Sequence, residues 1–499
     1  MSGSEHEVRV RGPVVRSPAP ALTSRPVLAV VCLGALAGIA ELTPAFEKVR
    51  LVSPAPVESV QPVGVAPPVL ELGQAELEQE TRTRPELAQP EQVELPRATH
   101  GPIAAKREGE SEPVALDAEK PPVPLDDPGH AGLAGFYRAL ARTIAKEPGA
   151  ITRIVHFGDS IVTSDYVSGT LRRKLQRQFG DAGHGFMLMA NAWPAYFHND
   201  VSRFSSSGWL VSRIVGPLAP DGLYGLGGVS FRAPPGSRAR FGTAKSGKFG
   251  RAVSRFVIAY VREPGGGKAK LRVDNVDKKE LDTSAPSVEV AYEELEVPDG
   301  EHELEIVTTA GTTRAFGVVM EREGPGVVLD AVGIQGARVR FLDKQDDAHW
   351  AETLRWRKPD LLLYQFGANE SGDGFAYPMD EYYRTMKDVL EQGKRARPEM
   401  GCLVLAAMDR AEKKGTALAT MPVIPAIVAE QRKAAAAAGC AFFDTYKAMG
   451  GAGSMAAWVE RGLGQADLTH PTGVGSEVIG NWIFRALVQG YEAFRASPR

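Results

Sequence analysis

From residue 131 onward, apolar positions switch between two periods. Between 131 and 146, Leu133, Phe136, Leu140 and Ile144 recur at helical spacing. The run 151–157 has the length and flanks of a buried strand. Residues 165–179 read as a basic amphipathic helix with Leu171, Leu175 and Phe179 on one side, and a glycine-rich loop, Gly180-Asp-Ala-Gly-His-Gly185, follows. From 202 to 323 the pattern changes to short β-type runs at 209–215, 229–232, 254–261, 269–273, 288–292, 302–307 and 316–320, separated by Gly, Pro and Asp turns. No helix of useful length interrupts them, which predicts an all-β sandwich. Alternation then resumes, with strands at 327–332, 360–366, 402–407 and 441–444 and helices at 379–396, 422–438 and 473–495. The last helix places Val474, Val478, Trp482 and Ala486 on one face. Strands alternating with helices predict an α/β fold, a parallel sheet with helices on both sides. The β-rich block interrupts that alternation, so it is an insertion.

The N-terminal part reads differently. Residues 1–26 carry Arg9, Arg11, Arg16 and Arg25, and an apolar run begins at Val27. A basic flank and a short apolar core predict a signal peptide or signal anchor over 27–46. The arginines would stay inside and the remainder outside, giving attachment to a membrane through this segment. Residues 47–128 are rich in Pro and Glu, and aromatic residues are absent between 50 and 127. Such a stretch buries too little to offset the entropy of ordering. As a coil it would span roughly 50 Å, projecting a folded head from a membrane. The expected organisation is therefore one α/β domain from 129–201 and 324–499, interrupted by the β insert at 202–323.

Composition narrows the function classes. The net charge is −3 with both signs mixed, so no electrostatic footprint for nucleic acid exists. The three cysteines lie far apart, without the Cys/His spacing of a zinc site. Gly401-Cys402 and Gly439-Cys440 each open an apolar run. On neighbouring parallel strands these two thiols would lie close enough for a disulfide.

Three short strings carry the candidate chemistry. Gly158-Asp159-Ser160 follows a strand and precedes a helix, where a hydroxyl is presented at the carboxyl end of a sheet beside helix amides. A hydroxyl needs a base to act as a nucleophile. His470, in Asp467-Leu468-Thr469-His470 and followed by Pro471, is the candidate, and Asp467 would fix its tautomer. Asn369, in Gly367-Ala368-Asn369-Glu370, follows another strand and can donate an amide N–H to a developing oxyanion. The Gly336 N–H, in Gly333-Ile-Gln-Gly336-Ala337, is a third candidate donor. Read singly, Ser160 is a helix cap, Asn369 and Gly336 are turn residues and His470 is a surface histidine. Their order and positions together favour catalysis. Asp159 reads as a structural hydrogen-bonding residue. Trp209, Tyr224 and Tyr260 suit either sugar stacking or core packing.

With these strings the chain resembles the SGNH (GDSL-type) hydrolase superfamily, over roughly residues 130–190 and 327–495. The resemblance implies a flavodoxin-like sheet, Ser160 as nucleophile, His470 as base oriented by Asp467, and an oxyanion hole from the Ser160 N–H, the Gly336 N–H and Asn369. It implies no cofactor and no metal. Ile161 replaces the usual Leu, and Glu370 replaces the Asp that usually follows the Asn, a departure neutral for catalysis. The long β insert makes the layout similar to Gram-negative periplasmic peptidoglycan O-acetylesterases, whose insert resembles a carbohydrate-binding module. The implied substrate is an acetylated glycan, peptidoglycan foremost. An O-acetyltransferase or a lipase/thioesterase on the same scaffold, or a non-catalytic glycan-binding module, stand as alternatives.

Overall fold

The computed structural model describes residues 121–415 and 417–497. The predicted basic segment and membrane segment, and the linker up to residue 120, lie outside the described residues. No helix among the described residues is long and apolar enough to cross a membrane.

A five-stranded sheet organises the α/β part. Its strands are β1 (Ile151–Gly158), β2 (Gly326–Gly333), β3 (Leu361–Gln365), β4 (Gly401–Leu405) and β5 (Ala441–Phe443). All neighbouring pairs are parallel, in the order β2-β1-β3-β4-β5. The strands read as near-continuous apolar runs because both faces are covered. Period two still decides which helices each side chain meets. Leu361 and Leu363 pack with α1 (Ala134–Ile144), α2 (Tyr166–Phe179) and a long C-terminal helix, while Leu362 and Tyr364 face the other layer. That second layer contains α3 (Asp347–Arg357), α4 (Met379–Ala396) and α5 (Val423–Ala437). The C-terminal helix, α6 (Gly473–Ala496), starts with Thr472 as its cap, whose hydroxyl accepts from the Gly475 N–H.

The insert consists of two antiparallel sheets that share one apolar core. One has the strand order 289–300, 253–262, 313–321, 229–233, 210–213, and the other 201–205, 238–243, 303–310, 268–273, 276–282. The expected insert boundary at 202 shifts. Gly185–Leu188, at the end of the glycine-rich loop, pairs with Thr313–Glu321 and so belongs to the insert's first sheet. Trp209, Tyr224 and Tyr260 are all buried, so they pack the core and are not free to stack on sugars.

The end of the predicted linker also differs from expectation. Val123 is buried, and Asp126 exchanges two backbone hydrogen bonds with Phe442 at 2.9 Å each. Asp126 is thus tied to the edge strand β5 and pairs the outward backbone groups of Phe442.

The insert is not an independent bead. One hydrophobic cluster runs from Val155 and Phe157 on β1 through Phe186 to Phe241 and Leu304 in the second insert sheet. A buried ionic cluster crosses the same seam. Glu321 accepts from both Arg153 nitrogens at 2.9 Å and also pairs with Arg357 and Arg255. Arg357 forks onto Asp330 at 2.6 and 2.8 Å, and Asp330 accepts the Phe186 N–H at 2.7 Å. Burial alone would raise the Glu321 carboxyl, but Arg357 and Arg153 outweigh it and hold its pKa well below the usual range.

Cys402 and Cys440 form a disulfide with a Cα–Cα distance of 4.8 Å. They open β4 and lead into β5, which are hydrogen-bonded neighbours. Both sulfurs should therefore stay unreactive toward a thiol reagent in unfolded, unreduced protein and become reactive on adding dithiothreitol. Reaction of both without reductant would contradict the bond.

Candidate active site

The sheet order reverses direction between β1 and β3. At such a switch point the loops leave adjacent strands toward opposite faces and open a crevice at their carboxyl ends. Gly158, Gly333 and Gln365 are in register across β1, β2 and β3. Ser160, Gly336 and Asn369 follow those three positions by two, three and four residues. The fold therefore brings the three strings to one rim.

Ser160 opens a four-residue helix, Ser160–Thr163. As its first residue, Ser160 has an N–H with no intrahelical acceptor. Gly158 is needed just below, because a Cβ there would lie 2.3 Å from the Val162 side chain. The Asp159 side chain accepts from the Ile161 N–H at 3.1 Å and caps the turn. Burial pushes the Asp159 carboxyl up to about 7, helped by nearby Glu370 and opposed by the Ile161 hydrogen bond.

The base arrives from the far end of the chain. His470 Nε2 lies 2.7 Å from Ser160 Oγ, and His470 Nδ1 lies 2.6 Å from Asp467 Oδ2. With its Nδ1–H donated to Asp467, the ring presents a lone pair at Nε2 to the hydroxyl proton. The loop that delivers it is closely held. Asp467 Oδ1 accepts from the His470 and Thr469 N–H groups at 3.0 Å, and the Gln465 N–H donates to the His470 carbonyl at 2.8 Å. Leu468 has φ 60°, an uncommon conformation for a branched side chain, held by backbone bonds to Gln465 and Ala411. Burial would raise the Asp467 carboxyl, but the His470 and Thr469 hydrogen bonds outweigh it and its pKa is lowered.

The candidate oxyanion loops are zipped together. Ile334 to Ala337 forms a turn closed by Ala337 N–H to the Ile334 carbonyl, with Gly336 at φ 78°. That is the third position of a type II turn, where glycine is preferred. Asn369 Nδ2 donates to the Ala337 carbonyl at 2.9 Å. This fixes the amide plane and leaves the second N–H of Nδ2 for a ligand. Glu370 is buried, accepting the Val339 N–H at 2.8 Å and the Gly367 N–H at 3.1 Å. Glu370, expected from the sequence to be neutral for catalysis, thus ties the Gly336 loop to the Asn369 loop. Arg338 adds Nε to the Asn369 carbonyl at 3.3 Å and Nη2 to Asp373 at 2.7 Å.

Arg410, which the sequence reading did not single out, joins this loop to the base loop. Its Nη1 donates to the Ala368 carbonyl at 2.7 Å and to Ser371 Oγ at 2.9 Å. The next residue, Ala411, donates its N–H to the Leu468 carbonyl at 3.0 Å. No short motif marks Arg410; its position after β4 at the sheet's carboxyl edge is the one signal the sequence offered.

The remaining histidines have other partners. His156 is buried on β1, bonded to Ser168 at 2.9 Å, and burial lowers its pKa to about 4. His184 and His198 bond to each other at 2.9 Å beside Asp165. The Asp165 carboxylate is chelated by Arg172 at 3.0 and 2.6 Å. Arg172 and Arg203 lower the pKa of both rings further than burial alone. A cation would have to displace Arg172 and enter a positive field.

No protein-family model matches the chain, and no curated protein matches it by sequence. Solved structures do match. A peptidoglycan O-acetylesterase is 21% identical and aligns over 75% of this chain and 99% of its own, with a TM-score of 0.63. A protein from Bacillus subtilis (12% identity, 58% of this chain, 90% of its own) and a catalytic mutant of an acetylxylan esterase from Geobacillus stearothermophilus (18%, 32% and 73%) give TM-scores of 0.29 and 0.25. That likeness shows the fold: the chain has the SGNH-hydrolase fold, a five-stranded parallel sheet, with an inserted antiparallel β-domain.

Proposed function

We propose that the chain is a serine esterase that removes O-acetyl groups from a cell-wall glycan, peptidoglycan foremost. The observation that carries this reading is the relay Ser160–His470–Asp467, with bonds of 2.7 and 2.6 Å, at the same sheet rim as the Gly336 and Asn369 loops. In this reading His470 takes the Ser160 proton as Oγ attacks the acetyl carbonyl, and Asp467 stabilises the imidazolium. The Ser160 and Gly336 N–H groups and the second Asn369 amide hydrogen receive the oxyanion. Collapse expels the sugar alkoxide, protonated by His470, and water then releases acetate by the same steps in reverse order. The glycan substrate is supported by the resemblance of the motifs and by the likeness to a protein described as a peptidoglycan O-acetylesterase.

Placement outside the cytoplasm fits the same reading. The Cys402–Cys440 bond suits an oxidising compartment such as the periplasm, and the apolar segment 27–46 would provide the membrane attachment.

The test is acetate release from O-acetylated peptidoglycan and from a chromogenic acetate, with fluorophosphonate labelling of Ser160. Labelling that blocks both releases supports the reading. Transfer to a chito-oligosaccharide in excess of hydrolysis would replace it with a transferase, and absence of turnover and labelling would replace it with a binding module. Asn369→Ala should lower kcat by about 10²–10³-fold with KM little changed, because its bond strengthens in the transition state. A loss confined to KM would remove Asn369 from the oxyanion hole.

A further inference from the structure

The carboxylates around the candidate site are all held by hydrogen bonds or ion pairs. Glu370 is held by two backbone N–H groups, and Asp373 pairs with Arg338 at 2.7 Å. Asp467 pairs with His470, and Glu412 with Lys414 at 3.4 Å. Asp409, next to Arg410, is buried and accepts from Thr420 Oγ1, Ser454 Oγ and the Met455 N–H. Each carboxylate on the loops flanking Arg410 thus has a partner, and none of them is Arg410. Among the described residues no carboxylate pairs with its guanidinium, whereas Arg338 on the same loop system is neutralised.

Arg410 is half-buried and commits one nitrogen, Nη1, to neutral acceptors, the Ala368 carbonyl and Ser371 Oγ. Those bonds anchor the guanidinium against the residue preceding Asn369, while Ala411 is bonded to the loop of His470. A guanidinium has five donors in a planar fork, so Nε and Nη2 are left over on a side chain already tied to the oxyanion loop. A fixed, uncompensated arginine fork is the preferred receptor for a carboxylate.

We propose that Arg410 forms an anion subsite that takes a carboxylate carried by the acetylated sugar, making the enzyme selective for acidic glycans. This rests on the esterase reading for its setting and deepens it. In peptidoglycan that carboxylate belongs to the lactyl ether of the muramoyl sugar, free wherever the stem peptide has been removed. N-Acetylmuramic acid differs from N-acetylglucosamine by that lactyl ether, which makes a matched pair.

The experiment compares kcat/KM for the 6-O-acetyl esters of these two sugars, in the full chain and in Arg410→Met and Arg410→Lys. The expected result is at least a tenfold preference for the lactyl-bearing ester, falling toward one in Arg410→Met and only partly in Arg410→Lys. Because the readout is a ratio, a general fall in turnover from loosening the Ala368 loop does not affect it. A wild-type ratio near one, or a ratio unchanged in Arg410→Met, overturns the proposal. Binding of the two unacetylated sugars to the Ser160→Ala chain, measured by calorimetry, gives the same comparison without turnover. Tenfold tighter muramate binding that needs Arg410 supports the subsite; equal binding sinks it. Fluorophosphonate labelling of Ser160 separately reports the esterase reading, so the two can fail independently. A muramoyl ester whose lactyl carboxyl is amidated by the stem peptide should lose the preference, and a preference retained there overturns the lactyl assignment.

Discussion

Ser160→Ala is expected to lower kcat on an acetyl ester by about 10⁴–10⁶-fold. The hydroxyl would form the bond to the acyl carbon, so its loss leaves only water as nucleophile. The remaining parts stay in place, because Ser160 Oγ contacts His470 at a half-exposed position and anchors no other element. The oxyanion donors and substrate contacts should therefore keep a residual acceleration of about 10³–10⁴ over water. His470→Ala should fall as far, and the double variant little further, because nucleophile and base act as one unit. Circular dichroism and urea midpoint should match the parent. A loss below tenfold with intact folding would mean another residue carries the attack.

Glu321→Ala is expected to destabilise the fold by about 3–5 kcal/mol. The carboxylate sits on an insert strand, is 1% exposed, and faces Arg153 from β1, Arg357 from α3 and Arg255 from its neighbouring strand. Removing it leaves buried positive charge along the seam between insert and sheet. Arg357 keeps Asp330, but Arg153 loses its bidentate partner. The same group predicts acid sensitivity. Its folded pKa lies below the unfolded value of 4.5, so its contribution is complete above that pH and is lost progressively as pH falls below it. Urea midpoints of parent and Glu321→Ala at pH 7 and pH 3 check both statements. The difference between them should shrink in acid, and an equal difference at the two pH values would remove Glu321 from the ionic cluster.

The parallel sheet was legible because its strands, such as Leu361–Gln365, are uninterrupted apolar runs between amphipathic helices. The order β2-β1-β3-β4-β5 was not, since parallel strands of this kind carry no local pairing signal. Helix α3 escaped notice because its buried face holds His349, Thr353 and Arg357 beside Trp350 and Leu354. Polar residues that pair across the seam look, in sequence, like a solvated surface. The outer insert strands were missed for a related reason. Val276–Asp282 buries Leu281 and exposes its lysines and acids, so its alternation is faint. The candidate nucleophile, base and amide were readable because each sits in a short string at a strand or helix boundary. Arg410, Glu370 and Glu321 acquire their roles only from partners on other loops, strands and helices. The shape of one residue's surroundings, unlike a motif, is written nowhere in its neighbours along the chain.

The hydroxyl and imidazole that meet at 2.7 Å are separated by 310 residues, with the whole insert between them. At about 5–20 residues per second, the ribosome would release the serine roughly 15–60 s before the histidine. A nascent chain can build β1 and both insert sheets in that interval and still have no general base. Closing so distant a pair is among the slower steps of folding. Hydrolytic power would therefore appear all at once and late, after α6 docks beside α2, and any product of premature termination before residue 470 would carry an inert hydroxyl.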